Sequence, residues 1–278
     1  MEETVVKQID ITFYGQNIWG NMAKTECISN RNACIRDMIV AYDADICCFQ
    51  ECNPRTSRAG DTAIELLLKD VYEEVPTAVG KDNYTPVFYR RDRFCVVESG
   101  FTAYEGLNDS GSKSITWAVM EEKGSGVRFG ICSTHFWWKS TGEVDNAQRL
   151  ENAAVLLERI RDLEARYDIP VFATGDLNCG KLASQGDVPY LWLKARLVDI
   201  RLHADETTDA FTHHPYPWRD ANNVYHATLT PQKNILDHFF VTENPNVQLH
   251  SFSVDNSAVS LTSSDHSPMI VRATVKGE

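Results

Sequence analysis

Short strand-like segments dominate this sequence and outnumber the helix-like segments between them. Residues 6–14 alternate apolar and polar side chains, and Ile46-Cys47-Cys48-Phe49 is a continuous apolar run. Gly124-Ser125-Gly126 predicts a hairpin turn between two further strands. Because tight turns join antiparallel neighbours, the pattern favours an α/β (α+β) protein with sheets packed on each other and helices outside over a purely parallel sheet.

Helical spacing of apolar residues recurs in three segments, about 31–42, 62–71 and 146–167, and a shorter helix is predicted over 190–197. Glu65 stands three residues after Thr62, a capping-box pattern that predicts a helix beginning at Thr62. We find no internal repeat, low-complexity linker or shift in composition. Residues 1–278 are therefore predicted to form a single domain.

The chain is acidic, since 39 acidic and 27 basic residues give a formal charge of −12. Proteins that grip duplex DNA usually present a basic face to its phosphates. The charge therefore disfavours extensive duplex binding, although an acidic protein can still have a local basic groove that binds DNA. It also suits a site that concentrates divalent cations.

Targeting signals are lacking in the sequence. No apolar run approaches the roughly 18 residues that span a membrane, so no membrane partner is expected. The start, Met1-Glu2-Glu3-Thr4, lacks the basic and apolar segments of a signal peptide. We expect a cytoplasmic protein, and a secreted one stays open if a leader has been removed.

The cysteines predict free thiols. Eight are present, several lie in strand-like runs, and none forms a CxxC pair. Buried free cysteine behaves as a small apolar residue, so reduced thiols are favoured, with some disulfide left open. Zinc ligation by cysteine has no supporting spacing.

Polar residues of catalytic type stand at the ends of one strand after another. Amide, acid and histidine side chains follow or directly precede strands at Asn17, Glu51, His135, Asp176, Asn178, Asp237, Asp265 and His266. Loops at strand ends on a rigid scaffold are where catalytic groups usually sit. Taken singly, each has an ordinary explanation, such as a turn at Gly175-Asp176, a solvated Glu51 or an Asx turn at Asp265.

Together these motifs carry more information than any one of them. In chain order they are Gln16-Asn17-Ile18-Trp19, Gln50-Glu51, Ser133-Thr134-His135, Gly175-Asp176-Leu177-Asn178, Leu236-Asp237-His238 and Ser264-Asp265-His266. The set resembles the endonuclease/exonuclease/phosphatase superfamily, the fold of deoxyribonuclease I, abasic-site endonucleases, neutral sphingomyelinases and inositol polyphosphate 5-phosphatases. The resemblance runs from about residue 6 to 275. It implies a four-layered αββα sandwich, with two mixed β-sheets packed face to face and helices outside.

The resemblance implies a metal-dependent phosphoesterase with Mg²⁺ as cofactor and Mn²⁺ able to substitute. Glu51 and Asp265 are the implied metal carboxylates, and Asn17 adds a neutral oxygen. Mg²⁺ favours such oxygens in an octahedral shell that keeps several waters. The ion neutralises phosphate and leaving-group oxygens as charge develops on them.

The resemblance also implies which residues act on water and phosphate. Asp176 orients or deprotonates the water, Asn178 holds a phosphate oxygen, and His266 acts at the phosphate or as base while Asp237 fixes its tautomer. Whether Asp176 or His266 is the base stays open. His135 is suited to protonating the leaving group or binding phosphate, because an unperturbed histidine pKa lies near 6.5.

Several residues near the motifs have both a functional and a structural interpretation. His238 stands at a variable position of the family. Arg90, Arg91 and Arg93 can steer an anion, but a solvated charge run explains them better. The other candidates are the aromatic side chains of Trp137, Trp138 and residues 211–219. They either pack inside the protein or stack on a base, sugar or lipid head group of the substrate.

For function, we expect hydrolysis of a phosphodiester rather than a monoester, by a monomeric enzyme acting on a small phosphoester or a nucleic-acid end. A DNA or RNA endonuclease or exonuclease is the alternative within the class. A catalytically silent binding module on the same fold is the alternative outside it, and the complete set of metal and base residues argues against it. A membrane-associated phospholipid hydrolase would need an exposed apolar hairpin, which the sequence does not show.

Overall fold

The structure is a computed structural model that describes residues 7–20, 28–107, 111–139, 142–180, 186–208, 210–215, 217–222, 224–226 and 234–277. The strands are β1 (Gln8–Asn17), β2 (Ile46–Gln50), β3 (Tyr72–Glu74), β4 (Val87–Arg90), β5 (Phe94–Ala103), β6 (Ser114–Glu122), β7 (Arg128–His135), β8 (Val171–Asp176), β9 (Val198–Asp199), β10 (Glu206–Thr207), β11 (Trp218–Arg219), β12 (Tyr225–His226), β13 (Asp237–Val241), β14 (Val247–Val254) and β15 (Met269–Lys276). The helices are α1 (Ile28–Ala41), α2 (Ile64–Leu68), α3 (Glu143–Tyr167), α4 (Val188–Lys194), α5 (Ile200–His203) and α6 (Ala258–Ser263).

Most of the strands belong to two mixed sheets. One has seven strands in the order β10-β14-β15-β1-β2-β4-β3, and the other has six in the order β5-β6-β7-β8-β13-β9. The pairs β1–β2 and β7–β8 are parallel, whereas β1–β15 and β8–β13 are antiparallel. Strands β11 and β12 form a separate hairpin. The predicted pair of mixed sheets is confirmed.

The two sheets pack face to face around an apolar core. Alternate residues of β1 supply Ile9, Ile11 and Phe13 to it, as the alternation in the sequence predicts. The Phe13 ring lies 4.5 Å from the Phe172 ring and meets Phe129 edge-on at 5.8 Å. These rings come from both sheets, so burying them holds the sheets together.

Helices cover the outer faces of both sheets. The predicted helix over 31–42 is α1, and its Ile35 and Ile39 share an apolar cluster with Phe49 of the first sheet. Helix α3 ends at Tyr167 as predicted, and its Ile160 shares a second cluster with Cys132 of the second sheet. The order of layers is helix, sheet, sheet, helix, which confirms the predicted αββα sandwich.

The predicted capping box at Thr62 is wrong. Helix α2 begins at Ile64, with Ala63 as the N-cap residue and no side-chain capping bond. The Thr62 carbonyl instead accepts a hydrogen bond from the Asn32 side chain of α1. Thr62 thus contacts α1 through its carbonyl and lies before the helix.

Strand β5 is not predicted by the sequence pattern. It pairs antiparallel with β6, and the register shifts between Val96 and Glu98. Such a shift turns the following side chains to the opposite face, so the two-residue alternation breaks in mid-strand. The strand lies at a sheet edge and most of its side chains are half-buried, which weakens the pattern further.

The remaining expectations concern membranes and thiols. Within the described ranges, no helix combines the length and apolarity needed to cross a membrane. The seven described cysteines are free, and Cys27 lies outside the described residues. Cys47, Cys48 and Cys132 lie in buried strands, as expected for thiols that act as small apolar side chains.

Candidate active site

Strand ends from both sheets meet at one edge of the sandwich. In the parallel pair β7–β8, His135 lies opposite Asp176. In the antiparallel pair β13–β8, Asp237 lies opposite the same Asp176. The Asn17 side chain, at the end of β1 in the other sheet, donates a hydrogen bond to Asp176 Oδ2 at 3.0 Å. The fold thus brings together residues far apart in sequence.

The segment between α6 and β15 brings the last two predicted residues to this edge. Ser264 Oγ donates to the Asn17 carbonyl at 2.7 Å, and Gln16 Nε2 donates to the His266 carbonyl at 3.0 Å. These two bonds fix Asp265 and His266 beside the end of β1.

The converging residues surround a cavity of about 610 Å³. Six of the eight predicted site residues line it, namely Glu51, His135, Asp176, Asn178, Asp265 and His266. The other two, Asn17 and Asp237, are buried behind it and hydrogen-bond to residues in its wall. The structure therefore brings all eight together.

Asp176 lies at the centre of the group. Its Oδ2 lies 3.4 Å from His135 Nε2 and 3.8 Å from His266 Nε2. Its Oδ1 accepts the Asn178 backbone N–H at 2.8 Å. Burial acts to raise the pKa of Asp176, but His266 and His135 outweigh it and hold that pKa well below its usual range. Asp176 is therefore a buried carboxylate that stays charged.

His266 is held by a second carboxylate. Its Nδ1 lies 2.7 Å from Asp237 Oδ2, and the Asp237 N–H is bonded to the Thr212 hydroxyl. Burial alone would lower the pKa of His266, but Asp237 and Asp176 raise it well above its usual value. The arrangement fixes the ring and directs Nε2 toward Asp176.

His135 has a basic neighbour that the sequence does not reveal. Lys113 Nζ lies 2.6 Å from His135 Nε2, and both side chains are buried. Burial and then the Lys113 charge lower the pKa of His135, against the opposing effect of Asp176. His135 is thus held toward its neutral form in the absence of substrate.

Glu51 and Asn17 form one side of the site. Asn17 Nδ2 donates to Glu51 Oε1 at 3.1 Å, and its Oδ1 accepts the Trp19 N–H at 2.9 Å. The Gly20 N–H donates to Glu51 Oε2 at 3.0 Å. Burial opposes the change, but His135 and Lys113 lower the pKa of Glu51. In this conformation Asn17 holds two carboxylates through its amide nitrogen, and its oxygen is already bonded.

Backbone strain is concentrated at this edge. Among the described residues, five other than glycine have positive φ, and Trp19, Glu51 and Asn178 are three of them, at 48°, 53° and 48°. Each such residue costs on the order of 1 kcal/mol or more and persists where the surroundings impose it. Strain of this kind is frequent at functional sites.

The donor set fits a hard divalent cation. Asp265 is buried, and no described donor lies within hydrogen-bond distance of its Oδ1. Burial raises the pKa of Asp265 to about 7, opposed by His266 and assisted by Glu51. A buried carboxyl of this kind needs a positive partner to stay charged. Glu51 and Asp265 line the same cavity and are the residues that would hold such a cation.

Asn178 lines the cavity, and its side-chain nitrogen donates to the Phe136 carbonyl at 3.1 Å. This bond fixes the amide next to Asp176. Its predicted contact with a phosphate oxygen stays a prediction.

Other residues considered from the sequence have structural roles. His238 is buried, its Nε2 lies 2.8 Å from the Cys179 carbonyl, and its ring stacks on Tyr190 at 4.4 Å. Arg90 pairs with Asp43 and Asp92, and Arg93 pairs with Asp45. None of these lines the cavity, so the interpretation of the arginines as a charge run on the surface holds.

The aromatic residues divide between packing and the cavity. Trp137 is buried and donates Nε1 to Asp145 at 2.7 Å, whereas Trp138 is 51% exposed and lines the cavity. In the segment 211–219, Trp218 stacks on His226, and residue 216 lies outside the described residues. From the same segment, His213 lines the cavity.

Lys113 and the specific position His213 are among the cavity residues that the sequence analysis did not identify. None of the six sequence motifs includes Lys113. His213 falls in the segment singled out as aromatic, and its ring lies 4.8 Å from the His266 ring.

A two-sheet sandwich with paired carboxylates and histidines at one edge defines a class of phosphoester-cleaving enzymes. Residues 16–266 match the Endonuclease/Exonuclease/phosphatase family, and the chain belongs to this family. Members are hydrolases of phosphoester bonds and are generally dependent on divalent metals. No curated protein matches the sequence.

Solved structures share the fold at low sequence identity. The endonuclease/exonuclease/phosphatase from Bacteroides vulgatus is 20% identical, with TM-score 0.70, over 96% of this chain and 99% of that one. A Bacteroides thetaiotaomicron mannosyl-6-phosphatase is 20% identical, with TM-score 0.70, over 95% and 99%. D. rerio TDP2, complexed with single strand DNA product, is 17% identical, with TM-score 0.64, over 95% and 98%.

Proposed function

We propose that this chain is a Mg²⁺-dependent phosphoesterase that hydrolyses a phosphodiester by in-line attack of water on phosphorus. The observation that carries the proposal is the Asp176 carboxylate held 3.4 Å from His135 and 3.8 Å from His266, in a cavity that also contains Glu51 and Asp265. Phosphoryl transfer depends on positioning and charge stabilisation more than on covalent catalysis. The cavity offers both.

In this proposal Glu51 and Asp265 hold the metal ion, and Asn17 keeps Glu51 and Asp176 in place. When bound, the ion supplies positive charge to the phosphate and leaving oxygens. The unpartnered Oδ1 of Asp265 supports this assignment.

The other residues act on water and on the departing group. A bond forms from the water oxygen to phosphorus, and the bond from phosphorus to the leaving oxygen breaks. Asp176 orients the water and accepts its proton, while His266, kept protonated by Asp237 and Asp176, acts at the phosphate. We assign His135 and Lys113 to the phosphoryl and leaving oxygens. The Lys113 ammonium offsets their negative charge, and the neutral His135 ring lies beside the same oxygens.

For the substrate, the formal charge of −12 supports a small phosphoester over an extended duplex. The solved neighbours include a phosphatase and a protein bound to a DNA product, so their names favour neither ester class. A nucleic-acid end is the second candidate, because Trp138 is half exposed at the cavity and can stack on a base.

A comparison of a phosphodiester and a phosphomonoester substrate tests the proposal. We expect bis(p-nitrophenyl) phosphate to be cleaved with Mg²⁺, faster than p-nitrophenyl phosphate, and not in EDTA. Asp265→Asn should lose activity at least about 100-fold and bind Mg²⁺ more weakly, whereas His266→Gln should lose turnover and keep Mg²⁺ binding. Arg90→Gln, which alters an ion pair outside the cavity, is the control.

The contrary outcomes are distinct. Full activity in EDTA would show that hydrolysis does not need a metal ion. An Asp265→Asn protein that matches wild type across a Mg²⁺ titration would show that Asp265 does not bind the ion. Preference for the monoester would make the enzyme a phosphatase. Nicking of supercoiled plasmid that disappears in His266→Gln would favour the nuclease.

A further inference from the structure

The cavity contains a second group of metal-ligating side chains that includes a residue outside the sequence motifs. We propose that His213, Asp265 and His266 form a binding site for Zn²⁺ or a similar borderline transition-metal ion. This site shares Asp265 with the pair assigned to Mg²⁺, but has His213 and His266 in place of Glu51. One ligand atom from each of the three residues lies within 4.8 Å of the others.

Backbone pairing fixes the two histidines next to each other. The His214 N–H donates to the Asp265 carbonyl at 2.9 Å, and the Ser267 N–H donates to the Thr212 carbonyl at 2.8 Å. His213 and His266 therefore lie opposite each other in an antiparallel bridge, with ring centroids 4.8 Å apart.

The Thr212 side chain anchors the same segment to β13. Its hydroxyl accepts the N–H groups of Leu236 and Asp237 at 3.0 and 3.1 Å. A site built on fixed backbone of this kind needs little reorganisation when an ion binds.

Hydrogen bonding around His266 is typical of a metal ligand. Its Nδ1 is bonded to Asp237 Oδ2 at 2.7 Å, which leaves Nε2 to face the cavity. Histidines that bind metals almost always donate their other ring N–H to a carboxylate or carbonyl in this way. Asp265 is buried and its Oδ1 has no described donor within reach, so this oxygen can bind a cation in either site.

The ligand chemistry selects the ion. When the ion displaces the Nε2 proton of His266 into solvent, two imidazole nitrogens and one carboxylate oxygen suit Zn²⁺ and related borderline ions, with a further position left for water or substrate. Mg²⁺ prefers oxygen ligands and binds imidazole poorly. Within one cavity, Mg²⁺ and Zn²⁺ would therefore favour different sets of residues that share Asp265.

Because the Mg²⁺ and Zn²⁺ sites share Asp265, zinc binding should affect hydrolysis. This expectation rests on the proposed function. A zinc ion on His266 Nε2 and Asp265 occupies groups assigned to the phosphate and to Mg²⁺. Zn²⁺ should therefore inhibit Mg²⁺-dependent hydrolysis, and the inhibition should depend on His213.

Calorimetric titration with Zn²⁺ alone tests the binding. We expect one saturable equivalent in the wild type and at least about tenfold weaker binding in His213→Gln, since even outer-shell changes cost 10- to 100-fold. His203→Gln, at an exposed histidine outside the cavity, should bind as the wild type does. Thermal melting in EDTA checks that each variant is folded, and a Co²⁺ spectrum reports the ligand type.

Equal Zn²⁺ affinity in wild type and His213→Gln would overturn the site, as would the lack of saturable binding. A Co²⁺ spectrum dominated by thiolate charge transfer would overturn it too, because the ion would then be on a cysteine. Zinc binding without inhibition would overturn only the shared-ligand step. A protein inactive on every phosphoester that still binds Zn²⁺ through His213 would support this site and overturn the proposed function.

Discussion

Lys113 places an ammonium group 2.6 Å from His135 Nε2, inside the cavity wall. Its positive charge acts on the Glu51 and Asp176 carboxylates, whose pKa values it helps to lower. In the proposed function it also lies beside the phosphoryl group, and hydrogen bonds to charged groups contribute about 1.5–3 kcal/mol. We therefore expect Lys113 to contact the phosphoryl group beside His135.

Replacement of this lysine by methionine should preserve the fold and reduce catalysis. We expect Lys113→Met to lower kcat/KM for the diester by about 10- to 100-fold, the equivalent of one charged hydrogen bond. Lys123→Met is the matched control, because Lys123 is exposed and donates to the Arg91 carbonyl outside the cavity. Unchanged steady-state kinetics in Lys113→Met would exclude contact with the substrate.

At the scale of elements, the close approach of β7 and β8 sets the distance between His135 and Asp176. Gly175 lies within β8, so the turn considered from the sequence at Gly175-Asp176 is not present. A Cβ atom there would lie 1.9 Å from the Thr134 carbonyl oxygen of β7. Only glycine allows the two strands to stay paired at this point.

Alanine at this position should therefore damage both stability and activity. We expect Gly175→Ala to lower the free energy of unfolding by about 1–3 kcal/mol or more, because the backbone must move. Diester hydrolysis should fall further than stability accounts for, since the strand ends carry His135 and Asp176. Urea unfolding and kinetics on the same samples measure both.

Gly124→Ala is the matched control. An added Cβ at Gly124 would meet only the Glu122 carboxylate, at 3.2 Å, and no backbone atom. Wild-type stability and activity in Gly175→Ala would mean that the strands separate without cost at this point.

The elements that carry the motifs were predictable because their signals are local. Strand alternation in β1, the apolar run of β2 and the helical spacing of α1 each lie within one segment, and the polar residues directly follow them. The motif order then placed all eight residues at one cavity. The layer order came from the resemblance, and the strand register was not predicted, since alternation alone does not specify which strands pair.

What the sequence did not show depends on tertiary contacts. Lys113 reaches His135 across 22 residues of chain, and His213 reaches His266 through an isolated bridge. Strand β5 was hidden by its register shift, and the helix predicted from Thr62 begins at Ile64, while the Thr62 carbonyl accepts a bond from Asn32 of α1. No local pattern contains these pairings.

For the whole molecule, burial of the segment beside the cavity links stability to pH. His214 is buried, no described partner lies within reach of its Nε2, and burial lowers its pKa to about 4. In the unfolded chain a histidine pKa lies near 6.5. The unfolded state therefore takes up this proton first as the pH falls.

The sign of the effect follows from that difference. The His214 contribution is fully present above about pH 6.5 and is lost as the pH falls toward about 4, at up to about 1.4 kcal/mol per pH unit. His266 acts in the opposite direction, because its pKa is raised in the folded state. The difference between variants, rather than the absolute slope, isolates His214.

We expect the wild type to lose about 1 kcal/mol more than His214→Gln between pH 7.5 and 5.5, because only the wild type buries this neutral imidazole. Urea unfolding at both pH values, with EDTA present to remove metal, measures the difference. His203→Gln replaces an exposed histidine and should keep the wild-type pH dependence. An identical pH dependence in His214→Gln and wild type would show that His214 is already protonated, or exposed, in the folded protein.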